Sequence, residues 1–286
     1  MDCSIILPTY DRPSGLRRCL EGILRQDYPR DAFEVIVVDD GSAHPVDWVL
    51  APYRERIHLQ LRRQDNAGPA AARNAGAREA RGSLLAFVDD DCVPTRGWLS
   101  ALSRASYQHP EKILGGRTLN GLPDNAYAEA SHLLVSYVVG RYRTRYPAFS
   151  FLPTNNLAAP REVFESLDGF DPGFGRPGGE DRDFCHRALH RGHELGFVPD
   201  ATLHHFHLMG LPGFVRQQFE YGRGAHLLRT RHGPASGWLK PPSFYLDLTR
   251  EALRGERSRS EELQLAGLLL VSQLAAAAGV LRASWH

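Results

Sequence analysis

A chain of 286 residues with 42% hydrophobic and 23% charged residues has the make-up of a folded globular protein, which excludes disorder as its main state. Its 34 lysines and arginines against 33 acids leave a net charge of +1, so no global field attracts nucleic acid and any charge-based function must be local. Cys3, Cys19, Cys92 and Cys185 match no paired or zinc-ligand spacing, and a reducing, cytoplasmic setting is expected, with no targeting segment ahead of the first strand.

In chain order, "CSIIL" reads as a buried strand, and "SGLRRCLEGILRQ" as a helix with Ser14 as N-cap and Leu16, Leu20, Ile23 and Leu24 on one face. "FEVIVV" (33–38) is a second apolar, β-branched strand. A helix near 46–54, a strand at 57–61, a helix across 69–80 and the strand "LLAFV" (84–88) follow. Short apolar strands alternating with amphipathic helices predict an α/β fold with a mostly parallel sheet covered on both faces. Regularity weakens over 117–150, rich in tyrosine and arginine. It returns as a strand, turn and short helix in "FLPTNNLAAPREVFESLDGFD", then a glycine-rich turn, a helix and two short strands up to "ATLHHFH". From Met209 the chain reads as a helical extension. The expected domains are 1–208, divided into a nucleotide-binding half (1–116) and an acceptor or catalytic half (117–208), and 209–286.

Ligands of such sheets sit beyond the carboxyl ends of the strands. The loops there are "PTYDRPS", "DDGSAHP", "QDNAGPAAARN" and "DDDCVP". Capping the next helix accounts for one acid per loop, but not for "DD" or "DDD". In extended backbone Asp89 and Asp91 share a face while Asp90 points away. Two converging carboxylates call for a cation, and Mg²⁺ or Mn²⁺ with a diphosphate suits them. Arg73, one turn into its helix, is placed to meet a phosphate, against the plainer reading of a surface arginine. One carboxylate of "VVDDGS", Asp39 or Asp40, suits a nucleobase or ribose, or else caps the turn before Gly41. "GRPGGEDRDF" puts Glu180 and Asp181 on a glycine-rich loop that can close over a substrate, where an acid can act as general base. His205 and His207 share one face of their strand and His204 takes the other; with a metal inferred, one of them becomes a third ligand.

The ordered set "SIILPTYDR", "VIVVDDGS", "NAGPAAARNAG", "GSLLAFVDDDCVP" and "GGEDRDF" strongly resembles the inverting family-2 nucleotide-sugar glycosyltransferases of GT-A fold, over roughly residues 3–207. The resemblance implies that Pro8, Thr9 and Tyr10 line the nucleotide pocket, with Asp40 or Asp39 on the base and Arg73 beside the nucleotide. It implies a DxD pair in which Asp91 binds Mn²⁺ or Mg²⁺ and Asp89 or Asp90 contacts ribose or sugar. It also implies Asp181 as catalytic base with Glu180 beside it, and His205 reaching the metal. The expected activity is transfer of one sugar from a nucleoside-diphosphate sugar, UDP first among the bases, to a glycan, lipid-linked or small-molecule acceptor, as in cell-envelope synthesis. The absence of "QxxRW" argues against a processive synthase. A sugar nucleotidyltransferase would want a basic glycine-rich loop after the first strand, which "PTYDRPSG" does not supply; a non-catalytic sugar-nucleotide-binding module would not need Asp91 and Asp181.

Leu263 to Leu281 carries no charge. It reads as a docked or oligomer-forming helix, as a helix on the inner membrane face, or as a span.

Overall fold

The computed structural model describes residues 1–142, 151–174, 178–233, 242–253 and 257–285. Strands apolar on both faces need cover on both faces. β1 (Cys3–Thr9), β2 (Phe33–Asp39) and β4 (Leu84–Val88) obtain it inside an eight-stranded sheet of order β3-β2-β1-β4-β7-β6-β8-β5. β1 runs parallel to β2 and β4, and β2 parallel to β3 (His58–Arg63). The other half is antiparallel: β7 (Asn156–Pro160) pairs with β4 and with β6 (Ile113–Asn120), and β8 (Leu195–His205) pairs with β5 (Cys92–Pro94).

Between the strands lie α1 (Pro13–Leu24), the short α2 (Asp47–Leu50), α3 (Pro69–Glu79) and α4 (Trp98–Gln108). The apolar stripe of α1 is buried as its spacing predicts, through Leu16, Leu20 and Ile23. Ser14 does not cap it. Pro13 takes the first helical position, where its missing N–H costs nothing, and Arg12 stands ahead of it without a side-chain cap. After α6 (Arg161–Ser166, the helix following β7) and α7 (Glu180–His190), the two expected short strands are one, β8. Pro199 lies outside the stretch Leu203–His205 that pairs with β5.

The chain forms two compact units that interleave in sequence: Met1–Leu119 with Leu152–Gly175 and Asp183–Phe206, and Asn120–Phe151 with Arg176–Arg182 and His207–His286. The first holds the sheet. The second takes the C-terminal helices together with α5 (Ala126–Tyr137). Its two long helices, α8 (Leu211–His232) and α10 (Arg259–Ser284), pack antiparallel, with Gly222 against Ala276 and Gly279 against Phe219. A Cβ at either glycine would overlap the facing carbonyl oxygen, so the two backbones touch. The uncharged 263–281 segment packs on α8, with Leu265, Leu268, Leu269, Ala275 and Val280 buried, and its helix is long and apolar enough to cross a membrane. Between them in sequence comes α9 (Pro242–Ala252).

At the end of the sheet away from the strand C-termini, Glu34 is fully buried. Its carboxylate accepts hydrogen bonds from Ser4 Oγ (2.7 Å), the Arg81 backbone N–H (2.6 Å), Arg81 Nε (2.8 Å) and Gln60 Nε2 (3.0 Å). Burial raises its pKa, but the bonds from Arg81 and Ser4 outweigh burial and bring it below the ordinary 4.5. A depressed carboxylate stabilises the fold above its unfolded pKa, and that contribution is lost as pH falls through the folded one. Glu34→Gln should cost about 1–3 kcal/mol at pH 7 in urea unfolding. The gap to the parent should shrink below about pH 4.5, the ordinary carboxylate value; a gap that stays constant down to pH 3 would contradict a charged, paired Glu34.

Candidate active site

The aspartate triplet does not continue β4. The Cys92 N–H donates to the Asp89 carbonyl (3.0 Å), closing a turn over Asp89–Cys92. The alternation expected of an extended strand is therefore lost, and each carboxylate goes its own way. Arg73, 3% exposed, donates to Asp89 (2.6 Å). Arg12 bridges Asp90 (3.2 Å) and Asp91 (2.9 Å) through one terminal nitrogen. Thr9 Oγ1 donates to the other Asp90 oxygen (2.7 Å). Asp91 also lies 3.2 Å from His205 Nε2.

Strand register explains the last contact. β5 follows the turn directly, and its antiparallel pairing with β8 sets Cys92 opposite His205. The Phe206 N–H then donates to the Asp91 carbonyl (2.7 Å). His204, one residue earlier, pairs with Val93 on the other face. His207 opens the second unit.

The environment separates the acids chemically. Burial, with Asp91 and Asp89 adding to it against Arg12 and Thr9, pushes Asp90 up to about 7. Burial would lower the His205 pKa, but the hydrogen bond and charge of Asp91 outweigh it and raise it. All four cysteines are buried, and burial pushes Cys19 and Cys92 well above the ordinary thiol range, so neither is a nucleophile at this turn.

At the end of β2 the two aspartates also divide. Asp40 accepts from Gln64 Nε2 (2.7 Å) and from the backbone N–H groups of Ala67 (3.0 Å) and Gly68 (2.9 Å), so its carboxylate holds the turn that opens α3. Asp39 accepts from the Ser42 N–H through Oδ1 (2.9 Å), while among the described residues its buried Oδ2 has no hydrogen bond and meets Arg63 at 3.9 Å. Gly41, at φ +82°, is needed here because a Cβ would lie 2.7 Å from the Asn66 nitrogen. Pro8 is half-buried on β1 and Tyr10 is exposed beyond its end.

The structure thus gathers Thr9, Asp89, Asp90, Asp91, Arg73 and His205 around one turn. Arg12, which sequence reasoning passed over, is at its centre; its signal was its place in "PTYDRPS", directly after the first strand. Arg73 meets the Asp89 carboxylate.

Residues 4–168 match the family described as Glycosyl transferase family 2. The chain belongs to that family. Residues 135–209 of this glycosyltransferase also match the N-terminal domain of galactosyltransferase. It is 29% identical over 238 residues to the pre-mycofactocin glycosyltransferase of Mycobacterium tuberculosis, covering 81% of this chain and 48% of that protein, so it spans about half of that relative's length. Among solved structures it resembles Staphylococcus aureus TarS 1–349 in complex with UDP-GlcNAc (TM-score 0.56, 20% identity, 96% of this chain and 73% of that one). It also resembles the mannosyltransferase PcManGT of Pyrobaculum calidifontis in complex with GDP-Man and Mn²⁺ (TM-score 0.61, 21% identity, 99% and 75%). The fold of this glycosyltransferase is GT-A, with the helical C-terminal part that the sequence leads one to expect.

In the second unit, Asp181 stands in the first turn of α7, where the helix dipole favours an acid. Glu180, buried, turns back to accept the Gly178 N–H (3.0 Å), and Asp181 Oδ1 accepts the Arg182 N–H (2.8 Å). Residues 175–177 of the loop expected to close over substrate lie outside the described residues, as do 143–150 of the irregular stretch. Gly178 and Gly179 have φ of +133° and +118°, and α8 meets this loop at Gly224, where a Cβ would overlap the Gly178 carbonyl. Sequence reasoning missed Gly224, since a glycine inside a helix carries no sign of what it touches. Gly224→Ala should shift the loop carrying Asp181 and lower kcat more than donor affinity. Gly213→Ala, in the same helix with only an ordinary contact to Met209, should be neutral; equal effects from both would remove Gly224 from this role.

Proposed function

We propose that this family-2 glycosyltransferase moves a single sugar, with inversion, from a nucleoside-diphosphate sugar to an acceptor hydroxyl in a divalent-metal-dependent reaction. The observation carrying the reading is the Asp91–His205 pair set in a turn ringed by Arg12 and Arg73. A carboxylate oxygen and an imidazole nitrogen facing each other are a donor set that fits Mn²⁺. Asp91 and His205 would hold the ion, with Asp89 as the alternative carboxylate from the sequence pattern. A divalent ion there supplies positive charge for a diphosphate leaving group.

The chain's own groups account for the remaining roles. Asp39, with its unbonded Oδ2, is the better placed of its pair to accept from a nucleobase N–H, since Asp40 is taken up by the α3 turn. Pro8, Thr9 and Tyr10 flank that end of β1. Arg12 and Arg73 pair with the acids and add positive charge on the side where the leaving group develops negative charge. Asp181 removes the proton from the acceptor hydroxyl as it attacks the anomeric carbon from the face opposite the leaving group, so one displacement inverts the centre. The donor complexes named for the two structural neighbours, UDP-GlcNAc and GDP-Man, support a nucleotide-sugar donor and leave both bases to be tested.

Turnover of a panel of UDP- and GDP-sugars, read as released nucleoside diphosphate with Mn²⁺, with Mg²⁺ and with EDTA, tests the reading. Asp181→Asn should lower kcat by about 10²–10⁴-fold while donor Kd and thermal stability hold. Asp91→Asn should weaken Mn²⁺-dependent donor binding on the order of 10–100-fold. Full turnover in EDTA would remove the metal from the proposal, and Asp181→Asn at parental rate would remove the base.

A further inference from the structure

Helix α10 has a second apolar face. Its inner face is buried against α8, yet Leu263, Leu270, Leu274 and Leu281 are 73%, 62%, 63% and 59% exposed. With Gly267 and Ala277 between them, these residues recur at alternating steps of four and three, the heptad spacing of a helix–helix seam. The seam reads the same in both directions about Ser272: Leu263 answers Leu281, Gly267 answers Ala277, and Leu270 answers Leu274.

We propose that this face is a homodimer interface, in which α10 of one copy packs antiparallel on α10 of a second copy. A two-fold interface uses one patch twice and therefore needs self-complementarity, which the palindromic order of large and small residues supplies. Gly267 facing Ala277 lets the two helices approach closely, while Leu270 and Leu274 of both copies interlock at the dyad. The charge pattern selects this occupant over an anionic bilayer. A helix lying on a membrane carries lysines and arginines along the flanks of its apolar stripe, whereas α10 has cations only at its ends, Arg259 and Arg282. Burying the seam of both copies removes on the order of 1,000 Å², the lower bound for a specific interface, so the dimer should dissociate on dilution.

The full chain should rise from monomer to dimer mass in sedimentation equilibrium between about 1 and 100 µM, a Kd range suited to that area. Leu270→Glu with Leu274→Glu should stay monomeric across this range, with a thermal melt that matches the parent's at dilution. Orientation is tested by disulfide trapping, for which the buried native cysteines leave a silent background. Gly267→Cys with Ala277→Cys should form a covalent dimer under mild oxidation. Ala277→Cys alone should not, since antiparallel partners hold two such residues about 15 Å apart. A wild-type monomer at 100 µM, or a dimer that persists in the double glutamate variant, overturns the proposal. Efficient trapping through Ala277→Cys alone overturns the antiparallel register. A monomer that sediments with phosphatidylglycerol vesicles through the same leucines assigns the face to a bilayer instead.

Discussion

Three adjacent carboxylates cannot share one tight turn inside a protein unless positive charge and hydrogen-bond donors surround them. Here the turn after β4 distributes them: Asp89 to Arg73, Asp90 to Arg12 and Thr9, and Asp91 to Arg12 and His205. Much of the first unit follows from that arrangement. Thr9 ends β1, Arg12 precedes α1, Arg73 is buried on α3, and His205 is held by the β5–β8 register. Each of these elements is tied to the acid turn by a bond that would be unsatisfied if the element moved.

The two ends of the sheet solve opposite problems with the same chemistry. At the far end, Glu34 is saturated by Arg81, Ser4 and Gln60, and its pKa is lowered, which is the pattern of a structural charge. At the strand C-termini, Asp90 is raised to about 7 and Asp39 keeps an unbonded buried oxygen. Groups held away from their ordinary state, at the edge where α/β sheets bind ligands, are the pattern of a site.

In the second unit, close backbone approach replaces charge. Gly222 and Gly279 let α8 and α10 touch, and Gly224 lets the Gly178–Gly179 loop sit on α8. The leucine seam of α10 stays exposed.

The sequence by itself determined the class of fold, the strand ends that carry the acids, and the family. Those depend on periodicity and on short ordered motifs, which are local properties of the chain. Tertiary structure alone decided which cation answers which acid, because Arg12 and Asp90 are 78 positions apart and meet only when β1 and β4 lie side by side. It alone separated Asp39 from Asp40, through the distant turn that occupies one and not the other. It also merged two expected strands into β8 and divided the uncharged 263–281 segment into a buried face and an exposed one. Each of these outcomes turns on a partner far away in sequence, and a run of residues does not carry the position of its neighbours in space.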